Sequence, residues 1–219
     1  MFTNAIFPGK CIICNKIFTY NFQNIICSKC INKIQKERVI YCKSCGIKET
    51  KCQKCLKRKI FNQIKVFKNI DKEITDLIFW FKIKKYTNLS KVIADIIKDD
   101  ITEFVREKQI QVITYIPLSI KIKKQRGFNH LELILKEIFP EYMIKKTADK
   151  IKETPYQMGL AKSERKRNLK DAFKLKEEIT NKKILIFDDI MTTGTTMKEF
   201  YKTIKKGNPS KIYGYVIAR

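Results

Sequence analysis

Residues 184–196 read Ile-Leu-Ile-Phe-Asp-Asp-Ile-Met-Thr-Thr-Gly-Thr-Thr, and the fold follows from this stretch. Residues 183–187 (KILIF) form a near-continuous apolar run, the pattern of a strand buried on both faces of a parallel sheet. The run ends in two adjacent acids, Asp188 and Asp189, and a small hydroxyl-rich loop follows at once, Thr192, Thr193, Gly194, Thr195 and Thr196. A helix is expected over 196–206, burying Met197, Phe200, Tyr201 and Ile204 and closed by Gly207 as a C′ signal. The bare N–H groups at such a helix start, the positive end of its dipole and the Thr hydroxyls make an anion seat suited to a 5′-phosphate. Acids at a strand's carboxyl end lie where open α/β sheets bind ligands. Two neighbouring carboxylates repel each other unless hydroxyls or a cation engage them, and a ribose beside its own phosphate satisfies every part. No Gly-Lys-Thr/Ser follows at the spacing of a Walker A loop.

Outward from this unit, helices alternate with buried strands. Residues 64–67 (IKVF) read as a short strand. Ile74, Leu77, Ile78 and Phe81 make a helical stripe behind an N-cap at Asp71. A second helix runs from about Asn88 with Val92, Ile93, Ile96 and Ile97 on one face, and residues 112–116 (VITYI) read as a strand. Asn129 with Glu132 resembles a capping box opening a helix that stops before Pro140. Residues 142–144 are read as a further strand, and residues 211–217 (KIYGYVI) as the last. Strands separated by helices imply an α/β fold, a parallel sheet covered on both faces. Within Phe79-Trp80-Phe81, core is favoured over a stacking platform because 78 and 81 lie on the buried stripe.

All eight cysteines lie in the first quarter of the chain as four C-x2-C pairs: Cys11/Cys14, Cys27/Cys30, Cys42/Cys45 and Cys52/Cys55. Two thiolates so spaced reach one tetrahedral Zn2+, and eight ligands make two structural sites with no open catalytic position. Asn15 after Cys14 and Gly46 after Cys45 tolerate the left-handed conformation that closes a metal knuckle, so the segment reads as one ribbon written twice. Sequential pairing (Cys11, Cys14, Cys27, Cys30; then Cys42, Cys45, Cys52, Cys55) is expected, with an interleaved arrangement as the alternative. Zinc binding, worth roughly 10–16 kcal/mol per site, would fold a segment too short to fold on its apolar content. The division expected is a double zinc-ribbon module over 1–59 and an α/β domain over 60–219.

The 219 residues carry 47 Lys+Arg against 22 Asp+Glu, a net charge of +25, on a background 44% hydrophobic. That excludes a disordered chain. No apolar run approaches the roughly 18 residues that span a bilayer, and the start MFTNAIFPGKC has no signal-peptide pattern, so a cytoplasmic location is expected and disulfides are not. The charge favours phosphates and nucleic acid, although it is dominated by Lys in a composition that AT-rich coding also produces. Residues 146–173 are poor in apolar groups and rich in Lys and Arg. They read as a solvated loop, a lid over the phosphate site, or a nucleic-acid track with Lys150, Lys152, Arg165, Lys166 and Arg167 as contacts. His130, the sole histidine, sits one residue into a capped helix and reads as a structural or surface residue.

The stretch 184–196 resembles the phosphoribosyl-pyrophosphate (PRPP) motif of type I phosphoribosyltransferases at nearly every position. Pro117-Leu118, then Arg126-Gly-Phe-Asn129, then Thr154-Pro-Tyr-Gln157 with Leu160, Arg165, Arg167-Asn168 and Ala172-Phe173, look like the ComF competence proteins. Those join a zinc-ribbon region to a phosphoribosyltransferase-like domain, and the resemblance covers essentially the whole chain. Lys150 and Lys152 stand where Arg is expected, and His130 where Gln is expected. The resemblance implies that Asp188 and Asp189 hold the ribose hydroxyls and Thr192 to Thr196 the 5′-phosphate. It implies a pyrophosphate loop at Pro117, Leu118 and Ser119 with Arg126 as an anion contact, and Mg2+ bound with PRPP. The function implied is handling of single-stranded DNA during natural transformation, with a competence helicase as a further partner. A working phosphoribosyltransferase of nucleotide metabolism, losing pyrophosphate from C1′, is the alternative. A zinc-ribbon adaptor for a helicase, its PRPP site vestigial, is the third reading.

Overall fold

A computed structural model describes residues 7–20, 25–36, 61–153 and 168–219. Cys42, Cys45, Cys52 and Cys55, residues 154–167 with Arg165, Lys166 and Arg167, and the boundary expected near residue 60 lie outside the described residues. The chain begins with β1 (Phe7–Lys10), β2 (Ile17–Tyr20) and α1 (Ser28–Lys36), then β3 (Gln63–Lys68), α2 (Lys72–Lys82), α3 (Leu89–Lys108) and β4 (Val112–Tyr115). It continues through α4 (Ile120–Arg126), α5 (His130–Ile138), β5 (Ala148–Lys150), β6 (Phe173–Leu175), β7 (Lys183–Ile190), α6 (Thr195–Lys205) and β8 (Lys211–Ala218).

β3, β8, β7 and β4 form, in that order, a four-stranded sheet in which every pair is parallel. Four of the five expected strands, 64–67, 112–116, 183–187 and 211–217, fall on the four strands of this sheet. Alternation along β8 shows how both faces are covered. Tyr213 and Tyr215 point to α3, their rings 6.1 and 6.4 Å from that of Phe104. The buried Tyr215 hydroxyl donates to Asp100 at 2.8 Å, and the Lys65 ammonium holds the other Asp100 oxygen at 2.9 Å. Gly214, between the two tyrosines, faces α6, where a Cβ would stand 3.0 Å from Met197 Cε. The missing side chain lets that helix lie close to the strand.

The helix starts follow the expected chemistry, with differences in detail. Asp71 caps α2 by accepting from the Ile74 N–H at 2.8 Å, and Ile74, Leu77, Ile78 and Phe81 are its buried residues. Asn129 caps α5 through the Leu131 N–H at 3.0 Å, while Glu132 turns to Lys136 at 3.5 Å, so the cap forms without the reciprocal box. α4 is an element that the apolar pattern does not reveal, because none of its residues is buried. Its signals are local: Ser119 as N-cap and Gly127 at φ 90° as the left-handed close. Phe79 is 45% exposed rather than core, and Trp80 is half-buried edge-on against Tyr86.

Two expectations are corrected. Residues 142–144 are not a strand: Pro140, at φ −64°, starts a 3-10 turn over Glu141–Met143, Tyr142 is turned out, and only Ile144 pairs, with Ile113 at the sheet edge. At the end of α6 the left-handed residue is Asn208 (φ 49°), not Gly207. Gly207 is required for space, since a Cβ there would stand 2.5 Å from Ile179 Cγ1 and 3.0 Å from Leu175 Cδ2. Gly207→Ala is therefore expected to destabilise the protein by about 1–3 kcal/mol through overpacking. Urea unfolding of the two proteins checks this, and unchanged stability would contradict the packing argument.

Candidate functional site

β7 carries its apolar run into the sheet and delivers Asp188 and Asp189 at its carboxyl end, beside β8, with Asp188 opposite Val216. The period of two separates their fates. Asp188 is half-buried and lines a small hollow with Ile190, Met191, Met197 and all five of Thr192, Thr193, Gly194, Thr195 and Thr196. Asp189 turns inward and is 4% exposed. Its Oδ1 accepts from the Ile190 N–H at 2.6 Å, and its Oδ2 meets His130 Nε2 at 2.8 Å and the Lys82 ammonium. His130 Nδ1 lies 2.9 Å from Arg126 Nη1. Guanidinium can only donate, so Nδ1 accepts and Nε2 carries the proton that goes to Asp189. Burial and then the Lys82 charge lower His130 to about 4, which keeps the ring neutral at physiological pH.

The two adjacent acids are driven apart. Burial would raise Asp189, but Lys82 and His130 outweigh it and hold the carboxylate ionised well below its usual range. Burial and the Asp189 charge push Asp188 up. One carboxylate is thus committed to the fold, and the other faces the hollow, where a nearby cation would favour its ionised form.

Gly194 is the N-cap of α6 at φ 70° and has no side chain to cap the helix. The Thr195 N–H donates to the Thr193 hydroxyl at 3.4 Å, a long bond, and the helix start borders the hollow, the arrangement that seats a phosphate. The Thr193 and Thr195 hydroxyls are 2.9 Å apart across the mouth. The Arg219 guanidinium approaches within 4.0 Å of the Cβ position of Gly194, adding a positive group to the loop. Arg219 is 25 residues from Gly194 (219 − 194) and arrives at the end of β8, so motif spacing gives no sign of it. Lys82 and the approach of His130 to Asp189 are equally silent in the sequence. His130 is a structural residue as expected, and it stands inside the site rather than on the surface.

The structure places the remaining candidates as follows. Leu118 is half-buried and Ser119 buried at the start of α4, and the Ser119 hydroxyl donates to Glu153 at 2.7 Å. Glu153 also accepts from the Lys121 N–H at 3.0 Å, so a carboxylate of the chain lies against the loop expected to meet pyrophosphate. Arg126 faces His130. Lys150 is half-buried in the β5–β6 pair, its ammonium lowered by burial, and Lys152 donates to the Lys170 carbonyl at 2.8 Å.

The first two C-x2-C pairs converge. The sulfurs of Cys11, Cys14, Cys27 and Cys30 all lie within 4.8 Å of one another. Cys11 to Cys30 is 3.8 Å and Cys14 to Cys27 is 3.7 Å. Tetrahedral Zn2+ with bonds of about 2.3 Å requires sulfurs about 3.8 Å apart, so the donor set fits. Asn15, at φ 59°, closes the knuckle, and the Cys27 N–H donates to Cys11 Sγ at 3.4 Å. Burial opposes ionisation of Cys11, but N–H donors of Cys14, Cys27 and Ile13 bring it down to about 7. Burial and the three neighbouring thiols push Cys30 well up. A dication removes that conflict by taking all four as thiolates. Held so, the knuckle docks on the α/β body through Lys33 of α1, 2.5 Å from Glu73 of α2.

Residues 140–219 match the family model described as phosphoribosyl transferase domain. The matched stretch contains both acids of β7 and the threonine loop that follows them. The chain is 25% identical over 229 residues to competence protein F of Haemophilus influenzae, covering 97% of this chain and 98% of that protein. It is 23% identical over 223 residues to DNA utilization protein YhgH of Salmonella typhimurium, 97% of each chain. Against competence protein ComFC of Streptococcus pneumoniae it is 25% identical over 228 residues, 96% of this chain and all of that one. The chain is thus similar along nearly its whole length to competence protein F, YhgH and ComFC, and its residues 140–219 to a phosphoribosyl transferase domain.

Two outcomes are expected. Cys14→Ser removes one zinc equivalent, read by metal analysis of freshly purified reduced protein, while the α/β body stays folded. The second concerns pH. The lowered His130 contributes stability present above its ordinary 6.5 and lost as pH falls toward 4. The raised Asp188 contributes stability present below its ordinary 3.8 and lost as pH rises through its higher folded value. Between these limits the two slopes oppose. Asp188→Asn should therefore expose the His130 slope, losing up to about 3 kcal/mol as pH falls through this window. His130→Gln should expose the opposite slope. Urea midpoints at the two ends of the window check both signs.

Proposed function

We propose that the protein binds PRPP with Mg2+ and single-stranded DNA, and acts in the cytoplasm in DNA uptake during natural transformation. One observation carries the ligand reading: the half-buried acid Asp188 opens into the same hollow as a helix start ringed by threonines. Asp188 is the acid a ribose hydroxyl reaches directly. Asp189 reaches one only by giving up Lys82 or His130. The N–H groups of the α6 first turn, the Thr hydroxyls and Arg219 take the 5′-phosphate. Mg2+ favours substrate oxygens and water over a full protein cage, so Asp188, the acid that faces the hollow, suffices beside it, and when bound it would neutralise pyrophosphate charge. The DNA-uptake reading is supported by the names of the relatives, competence protein F, ComFC and DNA utilization protein. The net charge of +25 is compatible with it. Two structural zincs, the second on Cys42, Cys45, Cys52 and Cys55, complete the proposal.

Calorimetry with Mg-PRPP tests the ligand. Asp188→Asn with Asp189→Asn should weaken binding more than tenfold, because charge-assisted hydrogen bonds contribute about 1.5–3 kcal/mol each. Thr195→Val should weaken it less, since the backbone seat survives. Wild-type protein indifferent to Mg-PRPP would reject the assignment. Pyrophosphate release on adding a nucleobase would instead favour a working phosphoribosyltransferase. Capture of a helicase without PRPP or DNA binding would favour the adaptor.

A further inference from the structure

The corner between α2 and α3 carries side chains that neither the core nor the PRPP reading uses. The buried stripe of α2 ends at Phe81. Phe79 nevertheless stands 45% exposed, Ile83 39% and Tyr86 44%, and Trp80 meets Tyr86 edge-on with ring centroids 5.4 Å apart. Residues 77–94 contain no acid and four lysines, Lys82, Lys84, Lys85 and Lys91. The neighbouring stretch 116–131 also contains no acid, and carries Lys121, Lys123, Lys124 and Arg126. The fold joins the two. The Lys85 ammonium donates to the Gln125 carbonyl at 2.7 Å, and Phe81 stacks on Phe128 at 5.7 Å. Glu153 meets α4 at its first turn, and at the other end no ion pair engages Lys123 or Lys124 among the described residues. The same corner borders the acids of β7, because Lys82 reaches Asp189.

From this juxtaposition we infer that the α2–α3 corner and the basic end of α4 form the binding face for single-stranded DNA, with Phe79 and Tyr86 as stacking positions. Charge complementarity selects a polyanion. The exposed rings select a single strand, whose bases have free faces, over a duplex, whose bases are already stacked. Sequence is not read, since any base offers a π-face. The placement next to Asp189 sends the strand past the mouth of the hollow. This inference rests on the single-stranded DNA reading above and adds where the strand lies.

Fluorescence anisotropy with a labelled oligo-dT on the full chain tests it. Phe79→Ala with Tyr86→Ala should lower affinity at least tenfold with the salt slope unchanged, because stacking carries little charge. Lys84→Ala, Lys123→Ala and Lys124→Ala together should flatten the slope by about 2, at roughly 0.7 per phosphate neutralised on a single strand. Both variants should keep wild-type zinc content, thermal midpoint and Mg-PRPP affinity. If wild type binds no DNA, the DNA reading itself falls and this face with it. If wild type binds and both variants bind equally well, the reading stands and this face is wrong. That holds with most force if Arg165→Ala, Lys166→Ala and Arg167→Ala abolish binding instead. A duplex competitor as effective as the single strand would overturn the stacking role.

Discussion

The buried carboxylate of Asp189 holds the candidate site together. An ion that is 4% exposed is tolerated only with close partners, because the desolvation cost of an unpaired one is several kcal/mol. Here the partners come from three parts of the chain: Lys82 from the end of α2, His130 from the start of α5, and the Ile190 N–H of β7 itself. Each satisfies the acid, and in doing so each is fixed. The acid pins the first helix after β3, the helix after the Arg126-Gly-Phe-Asn turn and the central strand to one point at the carboxyl edge of the sheet.

The neighbouring acid behaves oppositely because of this. With Lys82 and His130 engaged by Asp189, Asp188 has its charged neighbour close and accepts from the Asp189 N–H, 3.0 Å from Oδ1. Two identical residues in sequence thus become one anchor and one group that faces the hollow. The ring of His130 serves the anchor only while neutral, and its burial between Lys82 and Arg126 keeps it so.

The cysteine knuckle faces a different problem. Residues 25–36 bury Ile26, Cys30 and Ile34, too little apolar surface to fold a segment by itself. These side chains join the buried cluster of the α/β body, four sulfurs at metal spacing stand beside them, and Lys33 pairs with Glu73 of α2. Knuckle and α/β body meet on the helix whose far end supplies Lys82.

The sequence by itself determined the parallel sheet, since residues 64–67, 112–116, 183–187 and 211–217 read as strands set between helices. It also determined the local chemistry: the Asp71 and Asn129 caps, the threonine loop after Asp188 and Asp189, and the Cys11/Cys14 and Cys27/Cys30 spacing. These are short-range patterns, and chain neighbours carry them. It did not reveal α4, which buries nothing, nor the turn that Pro140 imposes on 141–143, nor that Gly207 serves packing while Asn208 takes the left-handed position. Only the tertiary structure decided that Lys82, Arg126, His130 and Arg219 converge on the β7 acids and loop. It alone separated Asp188 from Asp189, and turned Phe79 outward. Those outcomes depend on which helices the sheet's crossovers bring to its carboxyl edge, and contacts between residues tens of positions apart leave no periodicity for a sequence to show.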